Sequence, residues 1–283
     1  MSGLTYDDIC EPVPLDWLPR LDRPDAQPQN DLEQRWIRDG ALHLPGFMPA
    51  TLVERYASAR AANPAWADGR GAAFLDSPEM RDLALHLPLV DLLSDLLGDE
   101  VGLTLSLTGW ISTEREWHQD GYLNPPQMAS HYIAVWIALA DIDPDCGPFS
   151  YVPGSHRWPA MSGQKVRDLL TRREAADPMW PAHSDRFTTP LFESEIERRG
   201  ARPEVFLAGA GDVLIWHSRL VHCGSAPRVP GLERRSLIAH YSVISRRTDM
   251  PYWAQHEGGG FFAHLGPVTA RETVRRVSRE SFR

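Results

Sequence analysis

From His131 to Leu139 the chain reads His-Tyr-Ile-Ala-Val-Trp-Ile-Ala-Leu, a near-continuous run of β-type residues. A segment of that composition is a strand first, and it obliges the chain to build a sheet around it. Similar stretches accumulate after Gly102, where the sequence changes character. Leu103 to Thr108 alternates apolar and hydroxyl side chains, the pattern of a half-buried strand. Phe149 to Val152, Glu204 to Leu207, Asp212 to Trp216 and Ser236 to Val243 are further strand candidates, and Asp141 to Gly147 is turn-forming. Many strands spaced by turns, with helices ahead of them, predict a mainly β protein with flanking α-helices, a double-sheet jelly roll wrapped by helices.

The helices come first. Residues 1 to about 30 are rich in Pro and Asp without periodicity, and read as an extended arm lying on the domain. Asn30 or Asp31 caps a helix carrying Leu32, Trp36 and Ile37, stopped by Gly40, and Ala41 to Leu44 makes a short strand. A second helix follows Pro49, and a third runs from about Ser77 to Leu97, interrupted near Pro88 and ended by Gly98. Residues 31–100 are thus a helical packing layer, and 101–245 the β core. The charged stretch at about 160–200 breaks the strand pattern and reads as a helical or irregular insertion, a candidate lid. The tail, 246–283, is aromatic and glycine-rich around Trp253 and Phe261, suited to closing a pocket or covering a sheet edge. The 283 residues fit one domain of this type.

Net charge is −9 and no basic stripe exists, which argues against nucleic acid or an anionic membrane as a general partner. No apolar run approaches a membrane span, and the start lacks a signal pattern. Cys10, Cys146 and Cys223 are odd in number and widely spaced, so neither a disulfide framework nor a zinc knuckle is indicated, and a reducing cytoplasm is the expected setting.

The chemistry starts at Trp117-His118-Gln119-Asp120-Gly121-Tyr122. On a strand, His118 and Asp120 would share one face, about 7 Å apart along the backbone. An imidazole and a carboxylate converging this way supply two ligands of a facial triad, which leaves metal positions open for oxygen and substrate. Downstream, His222 is the better third ligand, because His217 ends an apolar strand where a structural role is commoner. Arg234 enters the strand carrying Ser236, Ile238 and His240 on one alternating face. Its planar fork suits the distal carboxylate of a dicarboxylate co-substrate. Gly209-Ala210-Gly211 is no dinucleotide fingerprint, since no helix follows, and Ser155-His156 lacks the elbow of a hydrolase.

Taken in order, His118-Gln119-Asp120-Gly121, Trp136 to Leu139, Gly147 to His156 with its Pro-Gly-Ser-His loop, Gly211 to Leu214 with His222, and Arg234 resemble the motifs of the phytanoyl-CoA dioxygenase family. The resemblance covers roughly residues 30 to 245. It implies a cupin-like double-stranded β-helix and an enzyme using Fe(II), 2-oxoglutarate and O2. It implies His118, Asp120 and His222 as metal ligands and Arg234, or Arg235 in a shifted register, as the partner of 2-oxoglutarate. Trp136 would lie beside the co-substrate, with Ser225 at the position after the distal ligand, one residue later than the family's usual spacing. A family lysine upstream of the triad has no counterpart, leaving Ser106 or Thr108 as substitute donors. The activity implied is hydroxylation of an unactivated C–H of a small molecule or secondary metabolite, with release of succinate and CO2. Desaturation or ring closure from the same iron, or ligand binding without turnover on the same fold, are the alternatives. Asp120 speaks against halogenation, because related halogenases carry a small residue there. Tyr122, Trp117 and His183 are candidate substrate-pocket residues. Substrate identity and oligomeric state are not encoded legibly.

Overall fold

The structure, a computed structural model, describes residues 3–68, 72–250, 252–264 and 274–276. Helix α1 (Asp31–Asp39) is capped as its sequence requires. The Asn30 side chain accepts from the Glu33 N–H, and Gly40 closes the helix at φ +68. Strand β1 (Ala41–Leu44) and helix α2 (Ala50–Ala62) follow. The predicted third helix is two: α3 (Pro78–Ala84), capped by Ser77, and α4 (Leu87–Leu97), with a proline in its first turn and Gly98 as its left-handed stop.

The strands β2 (Val101–Leu107), β3 (Tyr132–Ala138), β4 (Phe149–Tyr151), β5 (Glu204–Phe206), β6 (Val213–His217), β7 (His222–Gly224) and β8 (Ser236–Val243) form two sheets. In the larger, the order is β1-β6-β3-β8-β2, extended by tail strands β10 (Phe261–Ala263), β9 (Tyr252–Gln255) and β11 (Val274–Arg276). The smaller has the order β5-β4-β7. The tail therefore lies along the β2 edge and extends the sheet. Positions 251, 265–273 and 277–283 of the tail lie outside the described residues.

Strand β3 is buried along its whole length because both of its faces are covered. Ile133, Val135 and Ile137 join Leu237, Ala239 and Tyr241 of β8 in the core against the helices, with Trp36, Tyr56, Leu83 and Leu93. Ala134, Trp136 and Ala138 point the other way, meeting Trp216, Phe149 and Phe206 between the two sheets. Helices α5 (Gly163–Asp168), α6 (Arg172–Ala175) and α7 (Trp180–Arg198) make up the insertion. Together with Tyr6 and Ile9 of the arm they build a third core around Trp158, Trp180 and Phe192. The arm holds three short 3-10 turns and is clipped to the insertion by backbone bonds from Glu11 to Ala160 and from Ser162 to Ile9, at 2.9 and 2.8 Å. Among the described residues, no helix is long and apolar enough to cross a membrane.

Candidate metal centre

His118 and His222 form an antiparallel bridge at the mouth between the sheets, each backbone N–H donating to the other's carbonyl at 3.0 Å. Their rings stand 4.1 Å apart between centroids. Asp120 is not on a strand, contrary to the expectation of period-two spacing. It lies in the helical region at φ −87, leading into the turn Gly121–Leu123. The Ser218 carbonyl fixes that turn by accepting from the N–H groups of both Asp120 and Gly121, at 2.9 and 2.8 Å.

The donors nevertheless converge. Asp120 Oδ1 is 3.8 Å from His118 Nε2, and Oδ2 is 3.7 Å from His222 Nε2. One ligand atom from each of the three buried residues falls within 4.8 Å of the others. Each imidazole has its other nitrogen occupied. His118 Nδ1 donates to the Glu116 carbonyl at 2.7 Å, and His222 Nδ1 to the Leu220 carbonyl at 2.9 Å. This tautomer leaves each Nε2 lone pair aimed at the common point. Asp120 Oδ2 also accepts from the Trp216 indole N–H at 3.1 Å.

Burial pushes His118 well below its ordinary value, reinforced by His222 and Arg115, and burial lowers His222 as well. Burial alone would raise Asp120, but attraction to His222, His240, His118 and Arg115 brings it down to about 2. All three donors are thus in the deprotonated form that a divalent cation requires. The set of two neutral imidazoles and one carboxylate fits Fe(II) and leaves further coordination positions free.

Arg234 is 3% exposed, and its Nη1 donates to the Gly147 carbonyl at 2.7 Å. Its Nε has no partner, and no carboxylate among the described residues pairs with it. Burial lowers its pKa, with Cys146 opposing. A buried cation without a counter-ion is costly. Arg235 differs, with a half-exposed side chain paired to Glu233 at 2.6 Å. Gly147 ties Arg234 to Ser225, since a Cβ on Gly147 would meet the Ser225 carbonyl at 2.3 Å. Ser225 Oγ shares a hydrogen bond with Ser150 Oγ at 2.9 Å. Trp136 is buried on the inner face beside Ile238 and Leu214, its Nε1 unpartnered.

Ser106 pairs with Ala239 on the helix-facing side with its hydroxyl unpartnered, and the Thr108 hydroxyl bonds the Tyr56 hydroxyl in the helical layer, a placement that speaks against either standing in for the missing lysine. Tyr122 and Trp117 pack into the core of the insertion, and His183 Nε2 bonds Asp177 at 3.0 Å. The sequence reading overlooked Trp216 as a partner of Asp120, although it shares an alternating face with Leu214. It also overlooked Asp22 of the arm, which no local signal marks.

A two-sheet fold with two imidazoles and one carboxylate brought together defines the cupin-like, double-stranded β-helix class with a metal-competent site. This chain belongs to the Phytanoyl-CoA dioxygenase (PhyH) family, which matches residues 36–236. It is 27% identical over 214 residues to the ectoine dioxygenase of Sphingopyxis alaskensis, covering 70% of this chain and 65% of that protein. The chain thus spans a little under two thirds of the length of that relative. Among solved structures it resembles iron-bound EctD from S. alaskensis, with a TM-score of 0.55, 21% identity and coverage of 86% and 84% of the two chains. It also resembles SnoN, an α-ketoglutarate-dependent epimerase from nogalamycin biosynthesis, with a TM-score of 0.53, 24% identity and coverage of 75% and 81%.

Proposed function

We propose that the protein is an Fe(II)- and 2-oxoglutarate-dependent dioxygenase that hydroxylates an unactivated C–H bond of a small molecule. The observation that carries this reading is the convergence of three metal-competent donors in the same fold as a buried Arg234 that lacks an acid. His118, Asp120 and His222 hold the iron. Arg234 takes the distal carboxylate of 2-oxoglutarate through charge-assisted hydrogen bonds, with Trp136 and Ser225 lining the co-substrate position. O2 would be the oxidant: with iron and 2-oxoglutarate bound, one oxygen atom would go to the C–H bond and the other to succinate, with CO2 released from 2-oxoglutarate.

The chain's own contribution is orientation and dryness. The Glu116 and Leu220 carbonyls fix the two imidazole tautomers, and the Trp216 indole holds the Asp120 carboxylate in place. A carboxylate at position 120 fills the place a halide would need, which favours hydroxylation over halogenation. Ectoine, named in the relative from S. alaskensis, and nogalamycin, from whose biosynthesis SnoN comes, are the compounds to screen first.

Anaerobic addition of Fe(II) and 2-oxoglutarate should give a weak visible charge-transfer band, absent from His118→Ala. Oxygen should then yield succinate. A parent protein giving neither band nor succinate with any substrate would return the chain to a binding role.

A further inference from the structure

The turn between β6 and β7, His217 to His222, presents successive carbonyls to the metal centre. The Ser218 carbonyl holds the Asp120 turn, the Arg219 carbonyl accepts from the Gln119 side-chain amide at 2.6 Å, and the Leu220 carbonyl holds His222. The position of all three ligand side chains thus depends on how rigid this turn is, either directly or, for His118, through its backbone bridge to His222.

What stiffens the turn comes from the far end of the chain. The Arg219 backbone N–H donates to His217 Nδ1 at 2.9 Å, so the ring proton sits on Nε2 and is donated to Asp22 Oδ2 at 2.8 Å. Arg219 Nη2 donates to the same oxygen at 3.2 Å. Asp22 is in the arm, and its side chain is 3% exposed. A carboxylate so deeply buried persists only because its two partners compensate its desolvation. In return it holds two side chains of the turn, His217 and Arg219. His217, set aside as a ligand in the sequence, here supports the ligands.

We propose that Asp22 is a positioning residue of the metal centre, acting through His217 and Arg219, so that the arm is part of the active site. This rests on the metal-centre reading above. Direct outer hydrogen-bond partners of metal ligands typically govern affinity by about 10- to 100-fold, and Asp22, one step further out, belongs at the lower end of that range. The test is anaerobic Co(II) titration, with Kd and the visible d–d bands as readouts, on the parent and on Asp22→Ala, Asp22→Asn, Ile9→Ala and His118→Ala. All are measured below the unfolding midpoint of the least stable variant.

Asp22→Ala should bind Co(II) about tenfold more weakly, with shifted bands. Asp22→Asn, which keeps an acceptor for His217 Nε2, should show a smaller change in the same direction. If the alanine variant does not fold, the asparagine variant alone decides. Ile9→Ala loosens the arm elsewhere and should keep the parent's Co(II) affinity. Parental Kd and bands in the Asp22 variants, or an equal loss in Ile9→Ala, would overturn the proposal. A parent that binds no more Co(II) than His118→Ala removes the metal reading itself, and this inference with it.

Discussion

Arg234 is a cation placed where a lone cation is expensive, and its neighbour Arg235 is not. Replacing Arg234 by Met should leave the unfolding midpoint of the ligand-free protein unchanged or higher, because an uncompensated buried charge is removed. The same change should weaken 2-oxoglutarate binding by about 30-fold or more, from the loss of about 2 kcal/mol of charge-assisted hydrogen bonding. Arg235→Gln should stay within about twofold of the parent, since an exposed pair contributes little. Titrating the charge-transfer band with 2-oxoglutarate measures both, and a loss confined to Arg235→Gln would shift the register by one residue. Two arginines in succession look alike in a sequence, and only their opposite faces separate them. The candidate ligands were legible because each stands in a short, ordered motif. Asp22 was not, because its partner His217 lies 195 positions away.

At the scale of elements, the helix caps were readable at Asn30, Gly40, Ser77 and Gly98, since each is a local chemical requirement. Strand β2 shows why faces are harder. Its pairing with β8 slips between Leu103 and Leu105, and the extra residue turns Ser106 from the inner face to the helix side. Simple alternation would have set its hydroxyl between the sheets. Strand β3 carries a different liability at its entrance. His131 is buried with neither ring nitrogen bonded, and burial, aided by Arg246, lowers its pKa to about 4. The unfolded chain takes up that proton near pH 6.5 and the folded chain only near pH 4. The stability associated with a neutral His131 is therefore complete above about pH 6.5 and falls away as pH drops toward 4. By pH 5 the loss should be about 2 kcal/mol. Urea midpoints at pH 7 and pH 5 should differ more in the parent than in His131→Asn, and equal slopes would refute it.

The whole molecule is held by a large core under the helices, a second between the sheets, and a third joining arm to insertion. Phe192 is fully buried in the third, so Phe192→Ala should cost about 3–5 kcal/mol there. Hydrogen exchange should then quicken in the arm and in α5 to α7 while β3 and β8 keep their protection. Uniform loss across the chain would mean that the cores melt as one. The bridge between His118 and His222 carries a wider consequence. The two imidazoles belong to segments about a hundred positions apart and become neighbours only through reciprocal main-chain bonds. Among the described residues only His118 and Asp120 of the three donors are close in sequence, so the full set assembles only once that bridge has formed. On the proposed ligand set, complete metal loading would follow the β architecture, and the apoprotein would fold before a three-ligand site adds to its stability.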